Sequence, residues 1–136
     1  MTMKKKILLV DDESGLLKVT LLRLNHSGYE AFGAADGQEG LDLVRQKMPD
    51  LIILDKVMPK MNGDEVARIV KKDEKLKKIP IILISAEVEN MEQRASECGA
   101  DSYLPKPFDA KELLGMIEKL LSARRSDEAT NFHLKF

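Results

Sequence analysis

The sequence predicts an α/β fold: a doubly wound parallel sheet of five strands in the order 2-1-3-4-5, with helices on both faces, a (βα)5 arrangement. Three observations carry this. Short, wholly apolar runs recur, Ile7-Leu8-Leu9-Val10, Leu51-Ile52-Ile53-Leu54 and Ile81-Ile82-Leu83-Ile84 among them. An unbroken apolar run of this length marks a strand buried on both faces. Amphipathic stretches lie between the runs, so strands alternate with helices, and parallel pairing through right-handed crossovers follows. Two of the runs stop at aspartate, Val10 at Asp11-Asp12 and Leu54 at Asp55. In the 2-1-3-4-5 order, strands one and three flank the point where the winding reverses, and open α/β sheets bind ligands there, outside the carboxyl ends of the strands.

The elements follow in order. Ile7–Val10 is the first strand. The first helix carries Leu17, Leu21 and Leu24 on one face and ends near Gly28, which suits a left-handed cap. Tyr29–Ala34 is a weaker second strand. Asp36 with Glu39 three residues on is a helix start signal, and that second helix turns Leu41 and Val44 inward and stops before Pro49. Leu51–Leu54 is the third strand. Asn62 and Glu65 repeat the start signal for a third helix with Val66, Ile69 and Val70 apolar. Ile81–Ile84 is the fourth strand, and the fourth helix has Met91, Ala95 and Cys98 at helical spacing before Gly99. Asp101–Leu104 is a short fifth strand. Asp109 and Glu112 open a fifth helix whose stripe is Leu113, Leu114, Ile117, Leu120 and Leu121. Residues 1–121 therefore form one domain. Residues 122–136 are too few for a second and read as a flexible tail, although the alternation of Phe132, Leu134 and Phe136 would also suit a strand.

Bulk properties narrow the function. The chain has 136 residues, 43% apolar and 33% charged, an ordinary globular composition. A formal net charge of -1 gives no case for a nucleic-acid partner held by bulk charge. One cysteine, Cys98, excludes an internal disulfide and suits a reducing compartment. No apolar stretch approaches the roughly 20 residues that span a bilayer, and the first apolar run breaks at Asp11, which leaves no signal-peptide core. The expectation is a cytoplasmic protein with no membrane contact.

The residues just past the strand ends define a candidate site. Strand one offers Asp11 and Asp12, strand three Asp55, strand four Ser85 and strand five Lys106. Gathered carboxylates raise one another's pKa unless a cation joins them. For an all-oxygen, carboxylate-rich cluster that cation is magnesium, with manganese as the alternative. Lys106 and a divalent ion would balance three carboxylates. Such a site can hold a phosphoryl group on one carboxylate, with metal and lysine neutralising its oxygens and the Ser85 hydroxyl bonding one of them. Asp55 stands alone on the middle strand and is the better nucleophile; the Asp11-Asp12 pair is the better metal holder. The plain alternative, that Asp11 and Asp12 cap the first helix, leaves Asp55 unexplained.

Asp11-Asp12, Asp55 followed by Met58-Pro59 and Gly63, Ser85-Ala86 and Lys106-Pro107 form an ordered set that resembles the receiver domain of two-component response regulators, of the CheY-like kind, over about residues 4 to 121. The resemblance implies a phosphoprotein of phosphorelay signalling rather than a conventional enzyme. Asp55 would accept a phosphoryl group from a phosphohistidine on a sensor histidine kinase or histidine phosphotransfer protein. Asp12, Asp55 and the Val57 backbone carbonyl would hold magnesium, with Asp11 acting largely through water. Lys106 would pair with Asp55 and then with the phosphoryl group. Ser85 would move onto a phosphoryl oxygen, and Tyr103 occupies the family's aromatic switch position, although it equally suits an ordinary half-buried strand aromatic. The Lys106–Pro107 bond is often cis in the family. Val57 and Glu87 sit where hydrolysis of the phosphoryl group is tuned, and Lys56 adds an unusual cation beside the acceptor. A downstream output domain or protein, and a homodimer formed on phosphorylation, complete the implied partners.

Three other functions fit these residues less well. A flavodoxin-like electron carrier needs a phosphate loop after strand one, and Asp11-Asp12-Glu13 would repel a flavin phosphate. A phosphatase of the haloacid dehalogenase type needs an acid two residues after the nucleophile, where Val57 stands. A phosphorylation-independent interaction module on the same fold would not need the complete acidic set.

Overall fold

The computed structural model describes residues 3–134, with side chains described as far as Arg124. Five strands, β1 (Lys6–Val10), β2 (Glu30–Ala34), β3 (Leu51–Asp55), β4 (Ile81–Ser85) and β5 (Ser102–Pro105), alternate with five helices, α1 (Ser14–His26), α2 (Gly37–Lys47), α3 (Gly63–Lys72), α4 (Met91–Cys98) and α5 (Ala110–Leu134). The sheet is wholly parallel in the order β2-β1-β3-β4-β5. The expected fold class and strand order both hold.

Alternation along the central strands explains why they read as unbroken apolar runs. Successive side chains point to opposite faces. Leu8, Val10, Ile52, Leu54, Ile81 and Leu83 join a core with Leu41 and Val44 of α2, Val66 and Val70 of α3, and Ala95 and Cys98 of α4. Ile7, Leu9, Leu51, Ile53, Ile82 and Ile84 join a second core with Leu24 of α1 and Leu113, Ile117 and Leu121 of α5. Each fully buried aliphatic side chain contributes on the order of 1.5–3 kcal/mol.

Local chemistry sets the helix ends. The Asp36 carboxylate accepts from the Glu39 N–H at 2.8 Å, and the Asn62 side-chain oxygen accepts from the Glu65 N–H at 3.1 Å, so both start signals act as caps. At the end of α1 the Tyr29 N–H reaches the Leu24 carbonyl and the Gly28 N–H reaches that of Asn25. With Gly28 at φ 100, this is a Schellman termination, and it turns Tyr29 back onto the core beside Leu24.

The last helix departs from expectation. It runs to Leu134, through most of the segment expected to be a tail, and so the backbone of residues 131–134 is helical and not the strand that their apolar alternation would suit. The apolar stripe does stop at Leu121, but helical hydrogen bonds are local, and Ala123, Arg124, Arg125, Glu128 and Ala129 are good helix formers. Residues 135 and 136 lie outside the described residues. Arg124 donates to the Asp50 carbonyl at 3.1 Å, which ties α5 to the chain just before β3.

Candidate functional site

The site residues are held by the sheet's own hydrogen-bond ladder, which continues one step past the strands. The Asp11 N–H donates to the Ala34 carbonyl at 3.1 Å, the Lys56 N–H to Ile84 at 2.8 Å, and the Lys106 N–H to Ser85 at 2.8 Å. These bonds fix the end of β1 to β2 and the ends of β3 and β5 to β4, and the β1–β3 ladder joins the two groups. Pre-organisation of this kind is what a site for group transfer needs.

The structure brings Asp11, Asp12 and Asp55 together, with one carboxylate oxygen from each within 4.8 Å of the others. Asp11 and Asp55 are buried, at 1% and 5% exposure, while Asp12 faces solvent. Lys106 reaches across the sheet end. Its Nζ lies 3.0 Å from Asp11 Oδ2 and 3.3 Å from Asp55 Oδ2, and 3.9 Å from Glu13 Oε2. The bond to Asp55 is aligned as a hydrogen bond, whereas Asp11 Oδ2 has the charge contact without an aligned donor. Asp11 does not cap α1: its Oδ1 accepts from the Glu13 N–H at 2.9 Å, and α1 has no side-chain cap.

Burial, and then the Asp11 charge, push the Asp55 carboxyl up from its ordinary 3.8 to about 6, against the lowering pull of Lys106. Burial draws the Lys106 ammonium down, but the Asp11 and Asp55 carboxylates outweigh it and hold its pKa above the ordinary value. Three carboxylates with one ammonium leave two negative charges. A small divalent cation with oxygen preference fits this donor set, with the buried, incompletely bonded Asp11 Oδ2 on one side and open solvent at Asp12 for retained waters.

Ser85 ends β4 at 1% exposure, and its Oγ accepts from the Glu87 N–H at 3.0 Å. Tyr103 lies on β5, away from the acidic cluster in sequence and 37% exposed. Val57 lies in the loop after β3 with its side chain in solvent; the role given to it needs only its carbonyl. The Lys106–Pro107 bond is cis. Gly63 closes the β3–α3 loop so tightly that a Cβ there would strike the Asp55 carbonyl, and its N–H donates to the Lys56 carbonyl at 2.9 Å. Met58 and Met61 line the inside of that loop against the core.

Sequence reasoning noted Lys56 and Glu87 separately and did not join them. Lys56 Nζ lies 3.0 Å from Glu87 Oε2, and Arg94 Nη1 lies 3.3 Å from the same oxygen. Arg94 gave no signal at all, because ion pairs between residues 31 and 7 apart in different elements follow no helical or strand period.

The family model of the response regulator receiver domain matches residues 7–118. The probable transcriptional regulator ycf27 of Guillardia theta is 41% identical over 128 residues, 93% of this chain and 48% of that protein. The alkaline phosphatase synthesis transcriptional regulatory protein PhoP of Bacillus subtilis is 37% identical over 128 residues, 93% of this chain and 52% of that one. The chain thus spans about half the length of these relatives. The crystal structure of a CheY-like response regulator receiver domain protein from Methanospirillum hungatei JF-1 superposes with a TM-score of 0.84 at 30% identity, over 92% of this chain and 99% of that one. Among the described residues no helix is long and apolar enough to cross a membrane.

Proposed function

The chain belongs to the response regulator receiver domain family, and from that premise we propose that it is a phosphorylation switch whose acceptor is Asp55. The observation that carries this reading is the placing of Lys106 Nζ within 3.3 Å of both Asp55 and Asp11 at the reversal point of the sheet. The Asp55 carboxylate attacks the phosphorus of a phosphohistidine on a sensor kinase or phosphotransfer protein. The new P–O bond forms as the P–N bond breaks, and the imidazole nitrogen keeps the bonding pair. Lys106 holds Asp55 in place before transfer and neutralises a phosphoryl oxygen after it. Ser85 offers a hydroxyl to a second oxygen. Asp11, Asp12, Asp55 and the Val57 carbonyl are the groups that would hold magnesium, which supplies charge neutralisation for the phosphoryl oxygens when bound. Water attack on the acyl phosphate later restores Asp55.

In this reading residues 1–121 are the receiver unit and residues 122–136 an appended segment. The protein works in the cytoplasm, makes no direct nucleic-acid contact through residues 1–136, and signals to an output domain or partner protein. Incubation with magnesium and acetyl phosphate should add one phosphoryl group by intact mass. Asp55→Asn should abolish that gain; labelling of the variant at the parental rate would move the acceptor elsewhere.

A further inference from the structure

Glu87 links three parts of the molecule: the start of the loop after β3, helix α4 and Ser85 at the end of β4. Its side chain joins Lys56, at the end of β3, to Arg94, on α4, through a single oxygen. Its backbone N–H is bonded to the hydroxyl of Ser85. The loop from Ala86 to Asn90 is thereby fastened at both levels: the backbone holds Ser85, and the side chain holds the loop to the strand that carries Asp55. Lys56 is well covered, with 13% of its side chain exposed, although Glu87 is 59% exposed. Lys56 is also fixed at its own backbone by the Ile84 carbonyl. The anchor is therefore the rigid sheet, and the loop and α4 are the tethered parts.

We propose that Lys56 is a positioning residue that acts through Glu87: it clasps the β4–α4 loop in the resting arrangement and opposes movement of Ser85 toward a phosphoryl group. This inference rests on the reading of Asp55 as acceptor and adds a chain-specific control on how readily the phosphorylated arrangement is reached. A ligand shifts such a balance only through contacts that differ between the two arrangements. The clasp is a contact made in the resting one. Ion pairs this close to solvent are modest, so its loss should shift the balance by about two- to fivefold.

Direct electrostatics predict the opposite sign, which makes the inference testable. Removing a cation beside an anionic phosphoryl group should weaken binding of a phosphoryl mimic; releasing a clasp should strengthen it. With magnesium present, beryllofluoride is titrated against Lys56→Met, Lys56→Arg, Glu87→Gln and the double variant Lys56→Met/Glu87→Gln, with amide shifts as the readout. We expect Lys56→Met to bind about two- to fivefold more tightly, Lys56→Arg to match the parent, and the double variant to gain no more than Glu87→Gln alone. In the free protein, hydrogen exchange at the Glu87 amide should be faster in Lys56→Met. Unchanged or weaker binding by Lys56→Met, additive effects in the double variant, or an unchanged Glu87 exchange rate would each overturn the clasp. A parent that fails to bind beryllofluoride, or an Asp55→Asn variant that binds it equally well, would instead overturn the acceptor reading and the clasp with it.

Discussion

At the scale of single residues, Asp55 carries a cost that has a measurable signature. Its carboxyl titrates at about 6 in the folded, metal-free protein, above the ordinary 3.8. A carboxyl raised on folding binds its proton more tightly in the native state, so its contribution runs opposite to that of a salt-bridged acid. Stability is least affected below about pH 4, falls as pH rises from about 4 to 6, and is flat above. The difference corresponds to on the order of 3 kcal/mol once the group is ionised. Urea denaturation in a chelating buffer at pH 4 and pH 7 should therefore show Asp55→Asn gaining stability over the parent at pH 7 and not at pH 4. An equal difference at both pH values would mean that Asp55 is not strained by burial. This residue was legible in the sequence, as were Asp11, Asp12, Ser85 and Lys106, because each directly follows an apolar strand and strand ends need no tertiary information to locate. Lys106 bridging Asp11 and Asp55 rather than Asp55 alone was not, since that depends on how far β5 stands from β1 across the sheet.

Among elements, the β3–α3 loop is tightly constrained. Gly63 lies against the Asp55 backbone where no side chain fits. Gly63→Ala must push the loop outward and with it the carbonyl of Val57. We expect a loss of about 1–3 kcal/mol, seen as a lower urea midpoint at unchanged m value, together with weaker magnesium binding. A variant with the parental midpoint and parental magnesium affinity would show that the loop yields freely. The start signals Asp36 with Glu39 and Asn62 with Glu65 were readable because a cap is a contact across three residues. The length of α5 was not, because apolar periodicity reports the stripe a helix turns inward, and that stripe ends in the sequence at Leu121 while the helix runs to Leu134.

For the whole molecule, the question is how charge at one sheet edge reaches a distant surface. Ser85 opens the β4–α4 loop and Lys106 closes β5, so two contacts to one phosphoryl group would pull on both sides of the α4–β5–α5 face. Each is a charge-assisted hydrogen bond worth roughly 1.5–3 kcal/mol, enough to invert a balance between states a few kcal/mol apart. Tyr103 is more than a third exposed. With beryllofluoride, amide shifts should spread beyond the metal loops to Tyr103 and residues 87–121, and Tyr103 should become less accessible. Shifts confined to residues 11–13 and 55–63 would separate the acceptor site from any such output. The global topology was readable because strand and helix alternation admits few right-handed windings; the expectation of an output face rests on resemblance and on the places of Ser85 and Lys106, since apolar spacing does not distinguish a buried face from one that meets a partner.

The two-sided core has a consequence for folding fidelity. In β1, β3 and β4 every residue from Ile7 to Val10, Leu51 to Leu54 and Ile81 to Ile84 is apolar, and both faces are lined with aliphatics. Sliding β3 by one residue would exchange one aliphatic for another on each face and cost little apolar burial. What it could not do cheaply is draw Asp55 inward among them, where an ionised carboxylate has no water and no Lys106. The carboxylates that end β1 and β3 thus serve as stops that mark where those two apolar runs must halt, while the β4 run halts at the hydroxyl of Ser85. The same groups that would make the edge chemically useful also forbid the misaligned sheets that so uniform a core would otherwise tolerate.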